Sequence, residues 1–102
     1  MQRNVLRTGM TMALTHGVFQ SFEYNRMVVL FSMMDDATEV TCAISTSAMD
    51  ELEKVTRTKP EQREEQFVRL RDRIETCAAR KFENAEFEGK PPGIVLRSID
   101  FR

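Results

Sequence analysis

The side chains able to do chemistry in this chain are few and scattered. Its one histidine, His16, stands far in sequence from both cysteines, Cys42 and Cys77. Neither a Ser-His nor a Cys-His pair is therefore well placed for nucleophilic catalysis, and G-x-S-x-G, the Walker A loop and G-x-G-x-x-G are all missing. Zinc would need about four Cys, His or carboxylate ligands at suitable spacing, which this arrangement does not offer. Asp35 and Asp36 are adjacent and could suggest general acid/base work or a cation site. Two carboxylates in the run DDAT are better read as turn formers in water, since magnesium or calcium would take more oxygen ligands from a defined loop. No catalytic residue, cofactor-binding residue, cofactor or metal site is assigned, and the chain is expected not to be an enzyme.

Composition narrows the class further. A chain of 102 residues with 41% hydrophobic and 30% charged side chains reads as one soluble globular domain. Its 15 cationic and 16 anionic side chains leave a net charge of -1, so no global field attracts nucleic acid or an anionic membrane. The longest apolar run, Met27 to Phe31, falls far short of the roughly 20 residues that cross a bilayer. The opening MQRNVLRTGMTMALTHG lacks the continuous apolar core of a signal peptide. Two cysteines outside any C-x-x-C pair form no disulfide framework. A cytoplasmic location with no membrane contact is expected.

The strongest charge pattern lies in FVRLRDRIETCAARKF, Phe67 to Phe82. At about 100° per residue, Phe67, Leu70, Ile74, Cys77, Ala78 and Phe82 gather on one face as a core stripe. Glu61, Glu65 and Asp72 fall on one flank; Arg69, Arg73 and Arg80 fall on the other with Gln62, Gln66 and Thr76. Those three arginines could track phosphates and make a weak, sequence-independent nucleic-acid binder, helped by Arg3 and Arg7. No aromatic side chain interleaves them to stack bases and no ribonucleoprotein motif occurs, so a solvated face is the favoured reading and nucleic acid an unfavoured partner. Arg71 lies at the edge of the stripe one turn before Glu75, and the two are expected to form a structural ion pair at the helix–sheet boundary.

The elements that must carry these residues follow from periodicity and punctuation. Residues 1–16 have no sustained period and are expected to be a flexible N-terminal segment ahead of a single α+β domain over 17–102. VFQSFEYN can form a short, irregular strand. RMVVLFSMM is the strongest strand, and EVTCAIS alternates cleanly after a hairpin turn at Asp35 to Thr38. STSAMDELEKV starts a short helix with Ser47 and Asp50 at capping-box spacing. Pro60 opens a longer helix, with Thr58 and Glu61 three apart, that runs to Glu83 or Asn84. EGKPPG breaks the chain and GIVLRSIDF closes it as a final strand. The expected fold class is α+β, an antiparallel sheet with two helices on one face in the order β-β-β-α-α-β.

The run from FEYNRMVVLFSMMDDATEVTCAIS through FVRLRDRIETCAARK to GIVLRSIDF resembles the small bacterial domain-of-unknown-function family numbered fourteen eighty-eight. The resemblance is carried by Cys42, Ile44 and Ser45 at the end of a strand, then by Phe67, Arg71, Ile74, Glu75 and Ala78 on the long helix. It covers about residues 22–101, implies a small α+β fold, and brings no activity, cofactor or catalytic residue. The N-terminal extension and the Pro91-Pro92 loop depart from the family pattern.

A sheet covered by helices on one side needs one apolar face, yet RMVVLFSMM and GIVLRSIDF are apolar on both. Val28, Leu30, Met34, Val95 and Ile99 are therefore the expected interaction surface, to be covered by the N-terminal segment or, preferably, by a second subunit in a homodimer or by another protein. Cys42 and Cys77 both face inward in this reading. Both thiols are expected to react slowly with a thiol reagent in the native protein and rapidly once it unfolds, and prompt labelling of either would show that its face is misassigned.

Overall fold

Branched and aromatic side chains set the strands. In this computed structural model residues 14–89 and 93–102 are described, His16 by its backbone alone; the expectations placed on residues 1–13 and on Pro91-Pro92 lie outside them. The chain forms β1 (Thr15–Glu23), β2 (Val28–Asp35), β3 (Thr38–Ser45), α1 (Thr46–Glu53), α2 (Arg63–Glu83) and β4 (Ile94–Leu96). Single 3-10 turns occupy Pro60–Gln62 and Ser98–Phe101. The order is the β-β-β-α-α-β of an α+β fold. The sheet runs β1-β2-β3-β4, with one difference from expectation: β4 lies parallel to β3, pairing Cys42 with Ile94 and Ile44 with Leu96, so the sheet is mixed. Parallel neighbours need a long crossover, and the stretch holding both helices supplies it.

β1 explains why its own alternation looked irregular. Its pairing with β2 slips between Thr15 and Val18 and again between Phe19 and Ser21, so Phe19 and Phe22, three apart, stand opposite Phe31 and Val29. A bulge of this kind inserts an unpaired residue and returns the strand to the same face. Both phenylalanines consequently pack on the core. The strand also begins at Thr15 rather than at Val18, and Leu14 is buried in the core beside it.

Under the helices, Val29, Phe31 and Met33 of β2 meet Ile44 of β3 and Leu96 of β4. The predicted α2 stripe closes on them: Phe67, Leu70, Ile74, Cys77 and Ala78 are buried and Phe82 is half-buried. Phe67 is the centre of this contact, its ring 5.2 Å from that of Phe31 and 6.1 Å from that of Phe19. Ala48 and Met49 of α1 join the same core.

The helix termini differ from the sequence expectation. Ser45, not Ser47, caps α1, its hydroxyl accepting the Ala48 N–H at 3.1 Å. The helix starts at Thr46, which carries Asp50 beyond the first turn, where a carboxylate no longer meets the free N–H groups. Asp50 instead faces α2. Thr58 does not cap the second helix either: Gln62 accepts the Lys59 N–H at 3.0 Å, while the Thr58 hydroxyl donates to Asp50 at 2.8 Å. Three donors converge on Asp50 Oδ1, the other two being Arg63 Nη1 at 2.8 Å and Gln66 Nε2 at 2.9 Å. Arg63 also donates to Gln66 Oε1 at 2.6 Å and lies 5.8 Å from the centre of the Phe22 ring. Gln66, assigned to the solvated flank from its position on the helix, is fully buried with Arg63.

This cluster lets a guanidinium stay in the interior. Burial acts to raise the Asp50 pKa, but the hydrogen bonds from Arg63, Gln66 and Thr58 together outweigh it and hold the carboxyl below its ordinary value near 3.8. With a folded pKa below the unfolded one, the stabilisation from Asp50 is present above the unfolded value and is lost as pH falls through the folded value. Asp50→Ala leaves Arg63 charged and buried, and should cost about 3 kcal/mol. Arg63→Met removes the buried charge with it and should cost less. Urea denaturation of the two variants checks the order, and equal midpoints would show that Asp50 does not neutralise Arg63.

Candidate interaction surface

The expected interaction residues separate by element. Val28, Leu30 and Met34 occupy alternate positions of β2, out of phase with the core-facing Val29, Phe31 and Met33. Cross-strand pairing sets Leu30 beside Ala43 and Ala43 beside Val95. The four predicted strand residues thus share the sheet face turned away from the helices.

Ile99 reaches this face by a different route from the one expected. The final strand ends at Leu96 and the chain turns into the Ser98–Phe101 3-10 turn. Asp100 causes the turn, its carboxylate accepting the Arg97 N–H at 2.8 Å while both its oxygens lie 3.2 Å from Lys81 Nζ. Lys81 is itself buried and also donates to the Val95 carbonyl at 2.9 Å, which ties α2 to β4. The turn sends Phe101 against the core and leaves Ile99 70% exposed.

Val28, Ala43, Val95 and Ile99 line a groove of about 640 Å3. Arg26 stands at its β2 side; Glu88 and Arg97 stand at its β4 side, joined by two hydrogen bonds of 2.9 and 2.7 Å. That pairing holds the Glu88 carboxyl below the ordinary range. Val18 of β1, paired with Ser32, is half exposed on the same side of the sheet. Sequence reasoning missed Val18 and Ala43, because the bulges hide the phase of β1 and because alanine carries little apolar signal.

The arginine stripe is not one surface. Arg69 is held by Glu53 through hydrogen bonds of 2.8 and 3.0 Å, and Arg80 donates to the Asp100 carbonyl at 2.8 Å. Arg73 has no ion pair among the described residues. Arg71 and Glu75 stand 3.9 Å apart at closest approach, an exposed and loose contact. Glu75 has a better partner: its Oε2 accepts the Gly17 N–H at 2.6 Å. A Cβ on residue 17 would meet Glu75 atoms at 3.1 Å, so glycine is what allows β1 this close to α2.

The residues considered for reactivity are dispersed. Both cysteines are free and buried. Burial pushes the Cys42 thiol up to about 12, and raises Cys77 as well despite the nearby Arg80 charge. Asp36 takes a left-handed φ of 59° in the β2–β3 turn, which fits the turn-forming role. Among the described residues, no group of three or more His, Cys, Asp or Glu side chains could hold a metal ion, and no helix is long and apolar enough to cross a membrane.

A family model described as a protein of unknown function (DUF1488) matches residues 17–93. The chain belongs to this family. A crystal structure of a DUF1488 protein of unknown function from Shewanella loihica has the same fold, with a TM-score of 0.71 at 19% sequence identity over 86% of this chain and 96% of that one. No curated protein matches the sequence. Within this DUF1488 member, two family-like positions on α2 now have unequal weight. Arg71→Ala should change stability by no more than about 0.5 kcal/mol, as for an exposed ion pair. Glu75→Ala, which strips the partly buried Gly17 N–H of a charged acceptor, should cost about 1.5 kcal/mol or more. Thermal denaturation of the pair checks this, and a larger loss at Arg71 would restore the ion pair as the boundary contact.

Proposed function

We propose that this chain is a non-enzymatic interaction module that pairs with a second copy of itself through the open face of its sheet. The observation carrying the proposal is the groove floored by Val28, Ala43 and Val95 and bordered by polar side chains, with Ile99 standing out at its rim. A large aliphatic side chain held in water beside an apolar groove gains most by entering a matching groove. Arg26 at one side of the groove holds only an exposed contact with Glu23 at 3.2 Å and Glu88 at the other is shared with Arg97, so both can also face an opposite charge on a like copy. A two-fold axis along the strands carries the β4 side of one sheet over the β2 side of the other, and so sets Glu88 of one copy toward Arg26 of its partner. An isologous contact of this kind uses one patch twice.

The available area suits a modest affinity. Three strands about 25 Å long and the three-residue β4, spaced about 4.8 Å apart, present a face of roughly 400 Å2, below the roughly 800 Å2 per partner of a standard stable interface. The buried free thiols are consistent with a reducing compartment, which keeps the proposed location cytoplasmic. The alternative of a weak nucleic-acid binder through Arg69, Arg73 and Arg80 loses support because the Glu53 carboxylate already engages Arg69 and breaks the row. Light scattering behind size exclusion at sub-millimolar concentration should give twice the 11.8 kDa chain mass. Ile99→Asp should weaken the dimer at least ~10-fold by placing a charge in its apolar centre, whereas Val68→Asp, on the exposed side of α2, should not. A monomer at every concentration, or an unaffected Ile99→Asp dimer, would sink the proposal.

A further inference from the structure

The side of α2 away from the open sheet face holds a second cavity. Arg73, Thr76 and Arg80 recur at i, i+3 and i+7, so they rise along one flank of the helix. The 3-10 turn Ser98–Phe101 lies alongside, and between them is a cleft of about 360 Å3 lined by these three residues with Asp72, Cys77 and Phe101. Asp100 and Arg102 complete its border.

The charge balance of the cleft is positive. The Asp100 carboxylate is occupied by Lys81 and the Arg97 N–H, and Arg102 reaches toward Glu51 at 3.4 Å. That leaves the Arg73 and Arg80 guanidinium groups against one carboxylate, Asp72. Arg80 uses one nitrogen, Nη2, which donates to the Asp100 carbonyl at 2.8 Å and to Cys77 Sγ at 3.4 Å; a guanidinium has five donors in a planar fork, so Nε and Nη1 remain. Arg73 spends none on a carboxylate among the described residues. Thr76 adds a neutral hydroxyl between them. Phe101 and the Cys77 thiol give the cleft an apolar wall.

The geometry points to a binding site for a small organic anion, one with a phosphate or carboxylate head and a flat apolar body. Planar arginine forks match the oxygens of both head groups, and Phe101 is the surface against which the body lies. The volume is at the lower end of the range for small-molecule sites. A nucleic-acid backbone fits less well, since a polyanion needs a continuous row of free cations and Glu53 removes Arg69 from the row. The site lies apart from the open sheet face and does not depend on self-association.

Titrating the full chain with phenyl phosphate, inorganic phosphate and benzoate, followed by proton–nitrogen NMR, tests the inference. Phenyl phosphate should cause saturable shifts confined to residues 73–80 and 100–102, at lower concentration than inorganic phosphate because only the former uses Phe101. Benzoate should shift the same residues, and comparison of its affinity with that of phenyl phosphate distinguishes carboxylate from phosphate as the preferred head. Arg73→Gln, an exposed replacement, should weaken phenyl phosphate ~10-fold through loss of one charge-assisted contact; Arg26→Gln, on the open sheet side, should leave it unchanged. Linear, non-saturating shifts, or full affinity in Arg73→Gln, would overturn the site. So would a short single-stranded oligonucleotide that binds more tightly than phenyl phosphate and spreads its shifts to Arg69.

Discussion

The packing of the two helices on each other hangs on one carboxylate. Asp50 accepts from Thr58, Arg63 and Gln66, residues of the inter-helix link and the first turns of α2. It thereby fixes α1, the link and α2 relative to one another in a region where a bare guanidinium would be costly. Its position depends in turn on Ser45, whose capping bond starts α1 early enough to point Asp50 at α2. From that anchor the long helix runs back along β1, with Arg63 beside Phe22, Phe67 beside Phe19 and Glu75 on the Gly17 N–H. Strand and helix therefore carry a matched series of contacts: cationic at one end, aromatic in the middle, and a backbone hydrogen bond at the other.

A second polar tie holds the far end. Lys81 joins α2 to the Val95 carbonyl and to Asp100, so the short β4 is secured by a buried ammonium as well as by its three ladder residues. Both ties use long cationic side chains that bury their stems and carry their heads to a carboxylate. The two ends of one helix thus organise the two edges of the sheet. Among the described residues the opposite sheet face has no buried ionic tie of this kind, only the exposed Glu88–Arg97 pair at its groove, and that contrast is the physical ground for proposing it as a contact surface.

The fold was legible wherever apolar period and punctuation agreed. β2, β3 and the α2 stripe follow from Val29, Phe31, Ile44, Phe67 and Ile74 alone, and the family resemblance rested on the same packing positions. What stayed hidden depended on partners distant in sequence. Gln66 looked like a solvated flank residue because its helical phase does not reveal that Asp50 and Arg63 bury it. Glu75 was assigned to Arg71 by i,i+4 spacing and does approach it at 3.9 Å, while its shorter contact, with the Gly17 N–H at 2.6 Å, comes from a strand 58 residues away. The end of the last strand at Leu96 depends on Lys81 and the local Asp100–Arg97 bond, and an apolar pattern through Ile99 and Phe101 cannot express either. The candidate surface was partly legible: Val28, Leu30, Met34 and Val95 follow from strand phase, whereas Ile99 comes to it from a turn and Val18 and Ala43 were missed.

The parallel pairing of β3 with β4 has a kinetic consequence. The hairpins of β1, β2 and β3 close over short distances along the chain, but the pairing of Cys42 with Ile94 closes a loop that holds both helices. Non-local pairing of this kind incurs its loop entropy before any contact repays it. During that interval the β3 edge stands open and unpaired, with Cys42, Ala43 and Ile44 along it. An early three-stranded form would consequently expose that edge to pairing with another chain, and the Lys81 contacts to Val95 and Asp100, which hold β4 in place, help keep the edge covered in the finished protein.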